Sequence, residues 1–422
     1  MSDTILEYLE KFGSKTFNRL PFGEVDALIL SQFSYLKFDG IVPGEGDVDS
    51  FVTLPDIKNH PRFNDLFSDK RYEKPNRKLF ELMSESVRFG GLKMDLYVNI
   101  IGEEREIQFS AVTFSFPEGL HYVAYRGTDE NMVGWKEDAN LSIMEEIPGE
   151  KEAVKYLKDV SKVIKGDFYV GGHSKGGLNA IYASSAAPVS VKKRIIGIYS
   201  FDGPAIREDV RSKVDYAGVR DRYHKFVPKS SLIGMIFETD DICTVVKNKA
   251  AGILQHDPYN WIVRDIDFWY EDSLSKSAEV VNSAMANWLK GLDKDARTRF
   301  IDCVFEVADA CKDNDLVSIY LNPVKSIRQM LDGYDRMDEG ERQFLKEVLS
   351  GLIRNTGGFA KDEVQSGWGE FTDSVDKWIV MVQGVIEEKR SSKNKTETKK
   401  GTEKKIQKKS PKMISDKKKT KG

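Results

Sequence analysis

Two hydrophobic periods alternate along the chain, and the change between them divides it. In "FGEVDALILSQFSYLKFD", Val25, Leu28, Ile29, Phe33 and Leu36 recur at helical spacing and predict a helix with one buried face. "KPNRKLFELMSES" predicts a second helix, with Pro75 near its start, where proline is tolerated. From Leu92 the period becomes that of strands. "LKMDLYVNII", "REIQFSAVTFSF" and "LHYVAYRG" are β-rich runs separated by "GEE" and "PEG" turns. Then helix and strand patterns alternate: "EKEAVKYLKDVSKVI", "DFYVGGHS", "GGLNAIYASSAA" and "RIIGIYSFDGPA". "YHKFVPKSSLIGMIF" and "DICTVVKN" add further strand candidates. This order predicts a mostly parallel α/β sheet. Beyond about Asp267 the strand patterns stop. "SLSKSAEVVNSAMANWLKGL", "DARTRFIDCVFEVADAC" and "EGERQFLKEVLSGLIRN" read as helices, and a last helix is predicted around Asp376 to Glu387. The expected organisation is a helical and loop-rich segment over 1–90, an α/β core over 91–266, a helical region over 267–388 and a tail over 389–422.

Charge sharpens the last boundary. The 422 residues carry a net charge of -3, but from Lys389 onward there are 15 Lys/Arg and 3 Asp/Glu. An acidic body of -15 therefore bears a tail of +12 with too little apolar content to fold alone. A hydrophobic fraction of 40% is enough for a proper core. The first residues, "MSDTILEYLEKFGSKTF", lack the basic and apolar regions of a secretory signal. No run of about 18 apolar residues suits a membrane span. Cys243, Cys303 and Cys311 are sparse and make neither a disulfide framework nor a zinc spacing. A cytoplasmic protein with buried reduced thiols is expected, needing no metal or cofactor.

The candidate chemistry lies in "GDFYVGGHSKGGLNAIYAS", Gly166 to Ser184. Gly172-His173-Ser174-Lys175-Gly176 fits the G-x-S-x-G nucleophile elbow, and the context of strand before and helix after is the one that motif requires. Small flanking residues let such a serine project from a strained turn. A serine nucleophile needs a base. His173 adjoins it on the elbow and should point away; His60 and His121 precede it. Only His224 and His256 satisfy the chain order serine, acid, histidine. His224 falls within a strand pattern, so His256 in the loop "GILQHDPYNW" is the favoured base. For the acid, Asp202 in "YSFDGPA" ends the next strand, while Asp240 and Asp241 also satisfy the order. Asp257 adjoins His256 and is poorly placed to orient it. The oxyanion donors are expected to be the backbone N–H of Lys175 and a group in "VAYRGTDE", with Gly127 and Thr128 as candidates. The Lys175 side chain is expected in solvent, where it could attract an anionic substrate, and Arg126 is expected to pair with an acid of "GWKEDAN", with anion binding as the alternative.

Several of these segments together resemble a known family. "VAYRGTDENMVGWKEDANLS", "VGGHSKGGLNAIYAS", "SFDGP" and "QHDPYNW", with "LPFGEVDALILSQFSYLKFD" near the start, look like the bacterial Mbeg-like family, itself similar to class 3 lipases. The resemblance runs over roughly residues 4–350. It implies an α/β-hydrolase fold and a lipase- or esterase-like enzyme with Ser174 as nucleophile, acting on a small-molecule or lipid ester. One departure stands out. Class 3 lipases place their acid in an Asp-x-Val-Pro pattern, and here that region reads His224-Lys225-Phe226-Val227-Pro228. The absent aspartate strengthens Asp202 as the acid and leaves a non-catalytic scaffold, binding a ligand or protein partner, as the alternative. The Lys-rich tail suits weak contact with an anionic membrane or other polyanion. With no recognition motif in the acidic body, specific nucleic-acid binding is not expected.

Overall fold

The computed structural model describes residues 3–69, 72–129, 132–237, 243–309, 336–345 and 347–348. The last predicted helix and the Lys-rich tail lie outside the described residues, as do Asp240 and Asp241.

The chain order of strands is β1 (Val52–Thr53), β2 (Lys93–Gly102), β3 (Ile107–Ser115), β4 (His121–Tyr125), β5 (Phe168–His173), β6 (Ile195–Phe201), β7 (Tyr223–Pro228), β8 (Cys243–Val246), β9 (Val263–Arg264), β10 (Asp267–Phe268) and β11 (Tyr270–Glu271). Nine of them form one sheet, ordered β1-β2-β3-β4-β5-β6-β7-β8-β11. β4 to β8 run parallel, each to the next. β1 to β3 on one side and β11 on the other are antiparallel. The longer helices are α1 (Ile5–Phe12), α2 (Glu24–Phe33), α3 (Glu73–Glu85), α4 (Met132–Asn140), α5 (Pro148–Val163), α6 (Lys175–Ala186), α7 (Lys276–Lys290) and α8 (Lys294–Asp309). A mixed sheet with a parallel centre, helical crossovers and helices on both faces is the α/β-hydrolase fold.

Strand alternation feeds two cores. On β4, Tyr122 and Ala124 join one apolar cluster, and Val123 and Tyr125 join the other. α1, α2 and α3 cover the first face, while α5 and α6 cover the second. The first 90 residues are thus one wall of the hydrolase core. Strands also continue past the expected limit near Asp267: β10 pairs with β9, and β11 adds to β8. Each is only two residues long, too short for a period to show.

α2 differs from the expected one-faced helix. Every residue from Val25 to Phe33 is buried, polar ones included. Its polar side chains are satisfied internally. Ser31 shares a hydrogen bond with Tyr122 (2.8 Å), and Gln32 donates to Asn76 (3.3 Å). Asp26 accepts from Arg88 Nε (2.6 Å) and Nη2 (2.5 Å), and from the Gly23 N–H (2.9 Å). Arg88 also donates to the carbonyls of Lys15, Leu20 and Pro21, so one guanidinium ties the N-terminal loop to the helix.

Both side chains of the Asp26–Arg88 pair are at 0% exposure. Removing one partner leaves an orphaned charge, so Arg88→Met is expected to lose about 3–5 kcal/mol of stability in urea unfolding. The double variant Asp26→Leu/Arg88→Met should recover most of that loss. A double variant as unstable as the single one would contradict this reading.

Candidate active site

β5 ends at His173 and α6 begins at Lys175, so Ser174 alone makes the turn. Its φ is 59° and ψ -132°, a left-handed geometry that costs a non-glycine residue about 1–3 kcal/mol. Close backbone packing makes this turn possible. A Cβ on Gly172 would lie 2.4 Å from the Gly176 carbonyl carbon, and one on Gly176 would lie 2.1 Å from the Tyr125 oxygen. Strand, helix and the end of β4 therefore touch only because both positions are glycine. The Ser174 N–H donates to the Phe201 carbonyl on β6 (2.9 Å), which anchors the turn.

Phe201 is the register partner of His173, so the next residues, Ser174 and Asp202, follow the carboxyl ends of neighbouring parallel strands. Asp202 is also left-handed, at φ 51°. Its backbone N–H is held by the Phe226 carbonyl (2.8 Å). One carboxylate oxygen accepts from Ser231 Oγ (2.5 Å) and the Gly234 N–H (3.1 Å). The other lies 2.6 Å from His256 Nδ1. A carboxylate there places the proton on Nδ1 and leaves the Nε2 lone pair open. Among the described residues no hydrogen bond joins Ser174 Oγ to His256.

His256 closes a tight helical turn, Gly252–His256, that is itself tied down. The Gln255 side chain accepts from the Ser230 N–H (2.8 Å) and donates to the Ala250 carbonyl (3.1 Å). His173 adds a further tie. Its Nε2 is 2.8 Å from the His256 carbonyl, and the two rings are 4.4 Å apart. A carbonyl can only accept, so Nε2 carries the proton; Nδ1 then accepts from the Tyr35 hydroxyl (3.0 Å). Burial, and secondarily the neighbouring His256, hold the His173 imidazole well below its ordinary pKa, in the neutral form.

The loop after β4 comes equally close. A Cβ on Gly127 would lie 3.0 Å from Ser174 Cβ and 2.5 Å from the His173 oxygen, so the bare backbone passes directly beside the serine. Thr128 turns its hydroxyl away to donate to Asp138 (2.6 Å).

Two expectations need correction here. The Lys175 side chain is not in solvent but 1% exposed, folded under the elbow. Its ammonium donates to Glu137 Oε2 (2.7 Å) and to the Gln108 carbonyl (2.9 Å), with Asp138 at 3.5 Å. Glu137 in turn accepts the N–H groups of Gln108 (3.0 Å) and Gly149 (2.7 Å). The acids of "GWKEDAN" thus pair with Lys175. Arg126 instead reaches Asn99 Oδ1 (2.8 Å) and Asp129 (3.5 Å). Tyr35, Ser231 and Glu137 were not singled out in the sequence; their partners lie far along the chain.

His224, His121 and Asp257 are engaged elsewhere. His224 on β7 stacks on Tyr199 at 5.1 Å, and His121 bonds Ser115. Asp257 accepts from the Tyr259 N–H (2.9 Å). Lys225, where the Asp-x-Val-Pro pattern would put its aspartate, is buried on β7 between β6 and β8. Among the described residues no group of three or more His, Cys, Asp or Glu side chains could hold a metal ion. Nor is any described helix long and apolar enough to cross a membrane.

The Mbeg1-like family profile matches residues 83–306, more than half of the chain. The chain belongs to the Mbeg1-like family. The match spans every parallel strand and the elbow, Asp202 and His256. Among solved structures the chain is similar to M37 lipase, with 16% identity, 50% of this chain and 68% of that one covered, and a TM-score of 0.31. It is also similar to lipase II from Rhizopus niveus, with 12% identity, 53% and 89% covered, and a TM-score of 0.30. No curated protein sequence matches the chain.

The neutral His173 makes a testable link to pH. The unfolded chain takes up a proton at this residue below about pH 6.5, and the folded protein does not. Stability therefore falls as pH drops through that value, because the unfolded state binds more protons. His173→Asn should flatten this part of the stability–pH curve, measured by urea unfolding at several pH values. An unchanged slope would contradict the assignment.

Proposed function

We propose that the protein is a serine hydrolase that cleaves carboxylic esters, with Ser174 as nucleophile, His256 as base and Asp202 as the orienting acid. The observation that carries this reading is the 2.6 Å contact between His256 Nδ1 and Asp202, beside a serine held in a left-handed strand-to-helix turn. The strain at Ser174 supports a functional turn, since such conformations persist where the surroundings over-determine them. Asp202 stands in for the acid of the Asp-x-Val-Pro pattern. Ser231 and Gly234 bind its first oxygen and leave the second for the imidazole.

In this reaction His256 Nε2 takes the proton of Ser174 Oγ as the oxygen attacks the ester carbonyl carbon. The imidazolium is steadied by the Asp202 carboxylate. The backbone N–H groups of Lys175 and of Gly127 or Thr128 are the candidate donors to the oxyanion. Collapse of the tetrahedral intermediate expels the alcohol, which takes the proton from His256. Water, deprotonated by the same imidazole, then cleaves the acyl-serine and restores the enzyme. The buried Lys175–Glu137 pair supports the arrangement by joining the first turn of α6 to α4, the helix that also carries the Thr128 partner Asp138.

A second reading, a scaffold that binds without turnover, draws on the absence of a Ser174–His256 hydrogen bond among the described residues. Hydrogen bonds of this kind often tighten only around bound substrate. Ester turnover decides between the two. Ser174→Ala and His256→Ala are each expected to lower kcat on a p-nitrophenyl ester by about 10⁴-fold or more, and to similar extents, because the residues act as a unit. Asp202→Asn should stay folded and lose much of the rate through a misoriented imidazole. Turnover that survives Ser174→Ala would overturn the proposal.

A further inference from the structure

A groove of about 580 Å³ lies over the carboxyl edge of the sheet, within the size range of small-molecule sites. One wall is a single face of α7: Asn282, Met285, Ala286 and Leu289 follow helical spacing and all line it. Leu232, Met235 and Phe237, from the loop after β7, form the facing wall. The α4–α5 connection and the loop after β6 complete it through Ile143 and Arg207. Ser174 follows β5, the neighbour of β6 in the sheet. Leu232 also borders the small cleft that holds Asp202 and His256, so the groove adjoins the acid–histidine pair.

The walls are latched together. Asn282 donates to the Ser231 carbonyl (3.1 Å), Arg207 to the Leu141 carbonyl (2.7 Å) and Arg297 to the Ser142 carbonyl (2.9 Å). Ser231 is also the residue that holds Asp202. The Asn282 end of α7 is therefore the end beside the acid, and Lys290 marks the other. At 1.5 Å rise per residue the run from Asn282 to Lys290 is about 12 Å long. Met285, Ala286 and Leu289 with Leu232, Met235 and Phe237 give the groove one apolar side; Glu145, Glu208 and Asp209 line it as well, and Lys290 and Lys294 line it at the far end of the run. Met235 and Met285 give it adaptable walls, because a thioether side chain fills irregular space without a fixed shape.

We propose that this groove binds the acyl chain of the substrate, and that the substrate is the ester of an unbranched, medium-length fatty acid. The assignment rests on the ester-hydrolase reading for its link to Ser174. The helical segment beyond the sheet then sets specificity: the apolar face of α7 shelters the methylenes from water, and the lysines at its end disfavour longer chains.

Chain-length profiles test this. Wild-type kcat/KM is expected to rise at least tenfold from p-nitrophenyl acetate to the octanoate and to fall again for the palmitate. Ala286 is exposed on the groove face, so Ala286→Trp fills the groove without disturbing a core. It should lower kcat/KM at least tenfold on the octanoate and leave the acetate within twofold. Leu289→Lys should do the same. A Ser174-dependent acetate activity with a flat profile, unaltered by either variant, would overturn the groove assignment and leave the hydrolase reading standing. Binding of dansyl-undecanoate, read by fluorescence on Ser174→Ala protein, is independent of chemistry. If no ester is turned over, binding at least tenfold weaker in Ser174→Ala/Ala286→Trp upholds the groove while the hydrolase reading fails. No binding to Ser174→Ala protein, or binding indifferent to Ala286→Trp, overturns the groove.

Discussion

The architecture of the site depends on one close approach of backbones. Gly172, Gly176 and the Tyr125 carbonyl meet at distances that no side chain could enter. This contact lets β5 turn directly into α6 with a single residue between them, and that residue is Ser174. The parallel register with β6 then fixes where the following residue of the neighbouring strand falls, and it is Asp202. Two left-handed residues at adjacent strand ends therefore project from the same edge. The rest of the site is built to keep them there: the turn of His256, the ring of His173 behind it, and the loop of Gly127 in front.

Buried charge does much of that holding. Lys175 and Glu137 join the elbow helix to α4, and Asp26 and Arg88 join α2 to the N-terminal loop. Such pairs are weak contributors to net stability, since desolvation offsets their attraction. Their value here is geometric, because a buried charge tolerates few positions other than beside its partner. The neutral His173 works in the same way. It has a donor on one nitrogen and an acceptor on the other, and so fixes the His256 backbone to the strand that carries the serine.

Much of this was legible in the sequence. The elbow is a local motif, and its strand and helix flanks are strong periodic segments. Chain order narrowed the base to His224 or His256 and the acid to Asp202, Asp240 or Asp241; placement in the strand and loop pattern favoured Asp202 and His256, which the structure sets 2.6 Å apart. What could not be read has a common cause. Asp26, Ser31 and Gln32 look like the polar face of α2, yet each finds its partner inside the protein, on Arg88, Tyr122 and Asn76. Lys175 follows Ser174, and a lysine is seldom buried without a partner; that partner, Glu137, is on another helix. Tyr35 and His173 are 138 residues apart. Periodicity reports which way a segment faces, and it carries no record of which distant polar group will meet it.

The central claim is that this geometry activates Ser174. The most direct measurement is the intact mass of the protein after exposure to a fluorophosphonate, followed by peptide mapping. One adduct per chain is expected, on the peptide that contains Ser174. It should be absent from Ser174→Ala and form more slowly in Asp202→Asn. A folded wild-type protein that takes up no adduct, or takes it up at another residue, would contradict the account.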